Sequence, residues 1–108
     1  MANESPQIQA IQARYRQSFP EKKSMIDAYL DNIVNLGQDG NEQAIAQTLQ
    51  DCHSELHKLA GSFGMYNYQE IASVCRDAMS SIMARDIQLT SDLLQKLSTL
   101  IGNEIGEN

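Results

Sequence analysis

Apolar residues recur at three- and four-residue steps along almost the whole chain, and strict apolar–polar alternation is nearly absent. This is the period of helices, not of strands. A first short helix is expected over about residues 6–17, with Ile8, Ile11 and Tyr15 on one face. Ser18-Phe19-Pro20-Glu21 then reads as a fresh start, with Pro in the first turn and Ser and Glu at capping-box spacing. The helix it opens carries Ile26, Tyr29, Leu30, Ile33, Val34 and Leu36 and is expected to end at Gly37. Gly37-Gln38-Asp39-Gly40-Asn41 reads as a turn in which Asn41 caps the next helix. That third helix, over about 42–64, carries Ile45, Leu49, Cys52, Leu56, Leu59 and Phe63. Tyr66-Asn67-Tyr68 interrupts it, because Asn tolerates the left-handed conformation that such a break demands. A fourth helix with Ile71, Val74, Cys75, Ala78 and Ile82 runs up to Asp86. Thr90 or Ser91 would cap a fifth, carrying Leu93, Leu94, Leu97, Leu100, Ile101 and Ile105, and Gly102 through Asn108 reads as a frayed polar tail.

One apolar stripe per long helix and short connections mean antiparallel neighbours around a shared core. The expected fold is all-α: an up-down four-helix bundle with an additional short N-terminal helix across one end. With 108 residues there is room for one core, so the chain reads as a single helical-bundle domain over 1–108, its core over about 6–105. A monomer is expected, since no second apolar stripe is left to bury.

Composition removes several classes of function. No apolar run approaches the ~18 residues of a membrane span. The opening MANESPQIQAIQARYR has no apolar stretch of the kind a secretory signal needs. Cys52 and Cys75 make no disulfide framework and suit a reducing compartment, so a cytoplasmic location is expected. Eight Lys and Arg against fourteen Asp and Glu give a net charge of −6, which argues against nucleic acid as a partner. From the initial Met and the polar tail a free-standing protein is expected, and not a piece of a larger one.

Chemistry concentrates in His53-Ser54-Glu55-Leu56-His57-Lys58-Leu59-Ala60-Gly61-Ser62-Phe63-Gly64. Turning about 100° per residue from Ile45, the core stripe occupies an arc from roughly −40° to +60°. His57 falls near ~120°, Gly61 near ~160° and Gly64 near ~100°, beside the stripe and toward solvent. A glycine inside a helix costs about 1 kcal/mol relative to Ala. Side chains lean toward the helix N-terminus, so a side chain at position 61 would shade the imidazole one turn before it. Two glycines beyond His57 therefore read as clearance, with Gly64 equally readable as a helix end. A neutral imidazole has one ring nitrogen free to attack phosphorus. Phosphoryl transfer asks mainly for in-line positioning and charge stabilisation. There is no compact acidic cluster for Mg²⁺ and no Gly-rich nucleotide loop, so a partner would bring both metal and acid chemistry. Lys58 is the nearest base, although adjacent residues do not share a helix face.

The run His57-Lys58-Leu59-Ala60-Gly61-Ser62-Phe63-Gly64-Met65, with Ile71 through Cys75 downstream, resembles the signature of histidine-containing phosphotransfer (HPt) domains of two-component phosphorelays. Many family members carry Lys three residues after the histidine, where this chain has Ala60, and a later Gly is here Asn67. The resemblance implies a four-helix core, a phosphoaccepting His57, and docking to receiver domains of response regulators and to a sensor or hybrid histidine kinase. The chain would then be a phosphocarrier without independent catalytic machinery. It would need no cofactor of its own, with Mg²⁺ on the partner receiver. Lys58 is the expected charge support, and Gln50, His53, Ser54, Ala60, Gly61, Gly64 and Met65 form the expected docking patch.

Two other readings use the same residues. A pure binding module would sequester or inhibit a receiver or kinase without taking phosphate. A metal site would draw on Cys52, His53, Glu55 and His57, but Cys52 faces the core by the wheel count and the order is not that of zinc proteases. No metal is expected. Both cysteines and the five methionines read as core filler. Arg14, Arg16, Lys22 and Lys23 form a local basic cluster that reads as a solvated face able to guide an acidic partner.

Overall fold

The computed structural model describes residues 6–106. It contains five helices: α1 (Pro6–Arg16), α2 (Phe19–Asp39), α3 (Glu42–Met65), α4 (Gln69–Met83) and α5 (Ile87–Ile105), with no strand among the described residues. Helix α3 packs on α4, α4 on α5, α5 back on α2, and α2 on α3, which is the expected four-helix bundle. The stripes read from the sequence supply most of the core, and Phe19 at the start of α2 joins them: Ile26 and Ile33 of α2 meet Leu56 and Phe63 of α3, Cys75 and Ala78 of α4, and Leu94, Leu97 and Ile101 of α5. Leu56 has no exposed surface, so truncation to Ala costs about 2–5 kcal/mol.

Several boundaries depart from expectation, each for a local reason. Helix α2 passes through Gly37 and stops at Gly40, whose φ of 72° is the left-handed turn and whose N–H donates to the Leu36 carbonyl at 3.0 Å. An exposed glycine weakens a helix without ending it. No capping box forms at Ser18, because its backbone is already helical and its hydroxyl donates instead to the Tyr15 carbonyl at 2.7 Å. Asn41 does cap α3, accepting the Ala44 N–H at 3.0 Å. Asn67 takes the left-handed conformation at φ 69°, and the Tyr68 N–H closes the end of α3 on the Phe63 carbonyl at 2.8 Å.

Helix α4 ends at Met83, three residues early, and Arg85 turns the chain at φ 59°. Asp86, not Thr90 or Ser91, caps α5 by accepting the Leu89 N–H at 3.0 Å. Thr90 is instead buried inside α5, its hydroxyl 2.7 Å from that of Ser81. The polar tail is largely helix: α5 reaches Ile105 and buries Gly102, while Glu107 and Asn108 lie outside the described residues, as does the initial Met. Val34 was expected in the α2 stripe but is exposed.

Helix α1 buries no residue completely. Of its expected inward face only Tyr15 is packed, while Ile8 and Ile11 stay 44% and 50% exposed. Gln12 Nε2 donates to the Tyr66 carbonyl at 2.8 Å, and Arg16 donates to the Tyr68 hydroxyl at 2.8 Å. The Tyr15 ring stacks on Tyr66 at 4.2 Å between centroids and meets Phe19 and Phe63 edge-on. Helix α1 is thus moored to the C-terminal end of α3 and the turn that follows it.

Candidate functional site

Helix α3 fixes the site because its other face is locked in the core through Leu49, Cys52, Leu56, Leu59 and Phe63. On the outer side His57 is exposed, and its ring has no hydrogen-bond partner among the described residues. Gly61 is exposed too, and a Cβ placed on it would meet nothing within 4 Å. The clearance beside the imidazole is therefore physical space, and Gly61 has no packing role that would explain it. Gly64 differs: it is half-buried, and its added Cβ would lie 4.0 Å from Cβ of Ala72 on α4, an ordinary contact. It is also not the helix end, which comes at Tyr66.

Two concavities flank His57 along α3. On the N-terminal side a cleft of about 480 Å³ is lined by Gln50, His53 and Ser54 of α3 with Ile82, Met83 and Arg85 from the end of α4. On the C-terminal side a wider groove of about 1240 Å³ runs between α1 and the end of α3, lined by Ile8, Ile11, Arg14, Gly64, Met65 and Tyr66 among others. Met65 is 76% exposed there. At a rise of ~1.5 Å per residue, His53 lies about 6 Å from His57 along the helix and Gly64 about 10 Å the other way.

The expected patch is thus brought together on one side of α3, with Ala60 half-buried against the core at its inner edge. The wheel count did not show the contributions of α1 and α4. The spacing of Ile8 and Ile11 places them on one face with Tyr15, but amphipathic spacing does not say whether anything covers that face. Arg85 carries no signal in the sequence, where it falls within the expected span of the fourth helix.

Charge near the imidazole is arranged unexpectedly. Lys58 Nζ lies 3.7 Å from Glu55 Oε1, with the Lys58 side chain 73% exposed. Glu55 faces α2, where its charge helps raise the Tyr29 phenol, though less than burial does. Lys58 thus has its ion-pair partner in Glu55, one turn before it on the helix. Burial lowers Lys22, whose ammonium lies 4.9 Å from the Tyr15 ring centroid and donates to Ser18 Oγ at 2.9 Å. Arg16 and Lys22 of the basic cluster are thus spent on mooring α1.

The alternative metal set does not converge. Cys52 is sealed in the core while His57 is on the surface, and no group of three or more His, Cys, Asp or Glu side chains among the described residues is placed to hold an ion. Both thiols are pushed up to about 12, chiefly by burial, so neither is a ready thiolate. No described helix is long and apolar enough to cross a membrane.

A search of curated proteins and a search of solved structures each found no match. The family model of the Hpt domain matches residues 11–105, which takes in all of α2 to α5 and most of α1. Hpt domains are helical phosphocarrier modules of two-component systems, and the five-helix architecture here agrees with that assignment. The match spans both the bundle and the stretch of α3 that holds His57, and the chain belongs to the Hpt domain family, with a phosphotransfer role in two-component signalling.

Proposed function

We infer that this chain is a phosphorelay intermediate in which His57 is the phosphoacceptor. The observation that carries the reading is an exposed imidazole on a rigid core helix, with open space at Gly61 one turn further on. In the transfer, a ring nitrogen of neutral His57 attacks the phosphorus of a receiver's aspartyl phosphate. The N–P bond forms as the P–O bond to the aspartyl carboxyl breaks, and the electron pair leaves with the carboxylate. The imidazole keeps its other N–H. Reversal returns the phosphoryl group to an aspartate, so one surface serves both directions.

Among the described residues no group of three or more ligating side chains is placed to hold an ion, so on this reading the receiver brings the Mg²⁺, and the chain carries phosphate without catalysing a reaction alone. Gln50, His53, Ser54, Gly61, Gly64 and Met65, with Ala60 at their inner edge, form the docking surface for a receiver or a histidine kinase. Its two concavities give a partner's ridges somewhere to sit on either side of the reacting atom. Such an exchange belongs among cytoplasmic partners, and a monomer suffices for it.

The test is incubation with a phosphorylated receiver domain and Mg²⁺. The expected label is acid-labile, alkali-stable and absent from His57→Gln. Label that persists unchanged in that variant overturns the assignment, and tight binding with no transfer by the native chain favours a sequestering module.

A further inference from the structure

A phosphoryl group on His57 brings about two negative charges to a chain that already carries a net charge of −6. A nearby cation would offset them, and Lys58 lies toward Glu55, 3.7 Å from its carboxylate. The α3–α4 seam offers another. Gly64 meets Ala72, and His53 shares a cleft with Met83. Going back from Gly64 to His53 along α3 takes as many residues as going forward from Ala72 to Met83 along α4. The two helices therefore run antiparallel in a fixed register.

Residues 64, 60, 57 and 53 form one stripe at helical spacing on α3, and residues 72, 76, 79 and 83 form the facing stripe on α4. Met79 then stands level with His57, and Arg76 level with Ala60. Met79 is half-buried against the core, so it floors the seam beneath the imidazole. Arg76 is exposed, and among the described residues it joins no ion pair. Level with it on α3 stand the methyl of Ala60 and, one residue on, bare Gly61. Its long stem can lie across these small residues toward the histidine one turn away.

We propose that Arg76, reaching from α4 over Ala60 and Gly61, is the cation that meets the phosphoryl group on His57. The guanidinium suits this place better than an ammonium, because its planar fork can pair with two phosphoryl oxygens at once. The role rests on His57 being the phosphoacceptor, and the test separates the two.

Phosphoramidate serves as a donor that needs no partner protein: its P–N bond breaks, the new N–P bond forms on His57, and ammonia leaves. Native chain, Arg76→Gln, Arg76→Lys and Lys58→Gln are compared for the rate of labelling and for the ³¹P titration of the phosphohistidine. Arg76→Gln is expected to label roughly fivefold or more slowly, and its phosphoryl group to titrate at higher pH than in the native chain, because a nearby cation favours the dianion. Arg76→Lys, which keeps the charge but not the fork, restores part of the rate, and Lys58→Gln stays within about twofold of native. Arg76 is exposed, so circular dichroism and the unfolding midpoint should not move. Native-like labelling and titration in Arg76→Gln overturn the proposal while leaving His57 in place. A native chain that takes no label at His57 overturns both.

Discussion

The hydroxyl of Tyr15 lies 2.5 Å from Ser62 Oγ, joining α1 to the helix that carries His57. Either hydroxyl can donate in this pair, and Ser62 Oγ also lies 3.4 Å from the Leu59 carbonyl. Burial raises the Tyr15 phenol, so the proton stays on this oxygen through the physiological range. With Tyr66 stacked on its ring, Tyr15 is the main rivet of an otherwise shallow helix.

Tyr15→Phe should therefore loosen α1 while sparing the bundle. The expected cost is about 1 kcal/mol, the usual worth of one partly buried hydrogen bond. Amide hydrogen exchange should accelerate over residues 6–16 and stay slow in α3 and α4. Equal acceleration across the bundle would show that α1 is integral to the core and not a moored appendage.

Gly61 separates clearance from packing. Gly61→Ala should stabilise the chain by about 0.5–1 kcal/mol in urea unfolding, since the methyl meets nothing and the helix gains propensity. Gly61→Phe should fold equally well, yet slow transfer from a phosphorylated receiver by roughly tenfold or more, because the ring leans back over His57 and spoils the approach. Native transfer rates in Gly61→Phe would mean that the open space serves no partner.

The buried cysteines predict an alkaline limit to stability. Both thiols have an ordinary value of 9.0 that the fold raises to about 12. Burial is the main cause at each. The Glu55 carboxylate adds to it at Cys52, and Arg76 works against it at Cys75. Between these limits the unfolded chain releases protons that the folded chain retains, so their stabilising contribution is complete below about pH 9 and falls as pH rises toward 12. At about pH 10 each thiol has lost roughly 1.4 kcal/mol. Urea midpoints measured at neutral pH and near pH 10 should show this fall, with a shallower slope in the Cys52→Ala, Cys75→Ala double variant. An identical slope there would assign the alkaline limit to Tyr15 and the other phenols.

Local signals were legible wherever one residue settles its own conformation or its own helix face. Asn41 caps and Asn67 turns left-handed as their side chains dictate, and the buried stripe of α3 follows from 3.6-residue spacing alone. His57 and Gly61 were legible for the same reason, since both lie outside that stripe. Where several residues compete, the sequence is silent. Asp86, Thr90 and Ser91 all carry a capping oxygen, and only the contact of Thr90 with Ser81 on α4 draws it inward and leaves Asp86 to cap.

Tertiary packing alone decided what lies around His57. The spacing of Ile8 and Ile11 marks an apolar face, but whether it is covered depends on helices distant in sequence, and here they leave it open beside Met65. The register that sets Arg76 level with Ala60 across the seam has no trace in either segment read separately. Periodicity is a property of one helix and fixes which side turns inward. Register is a property of two, set by the fit of Gly64 against Ala72 and by the turn between them.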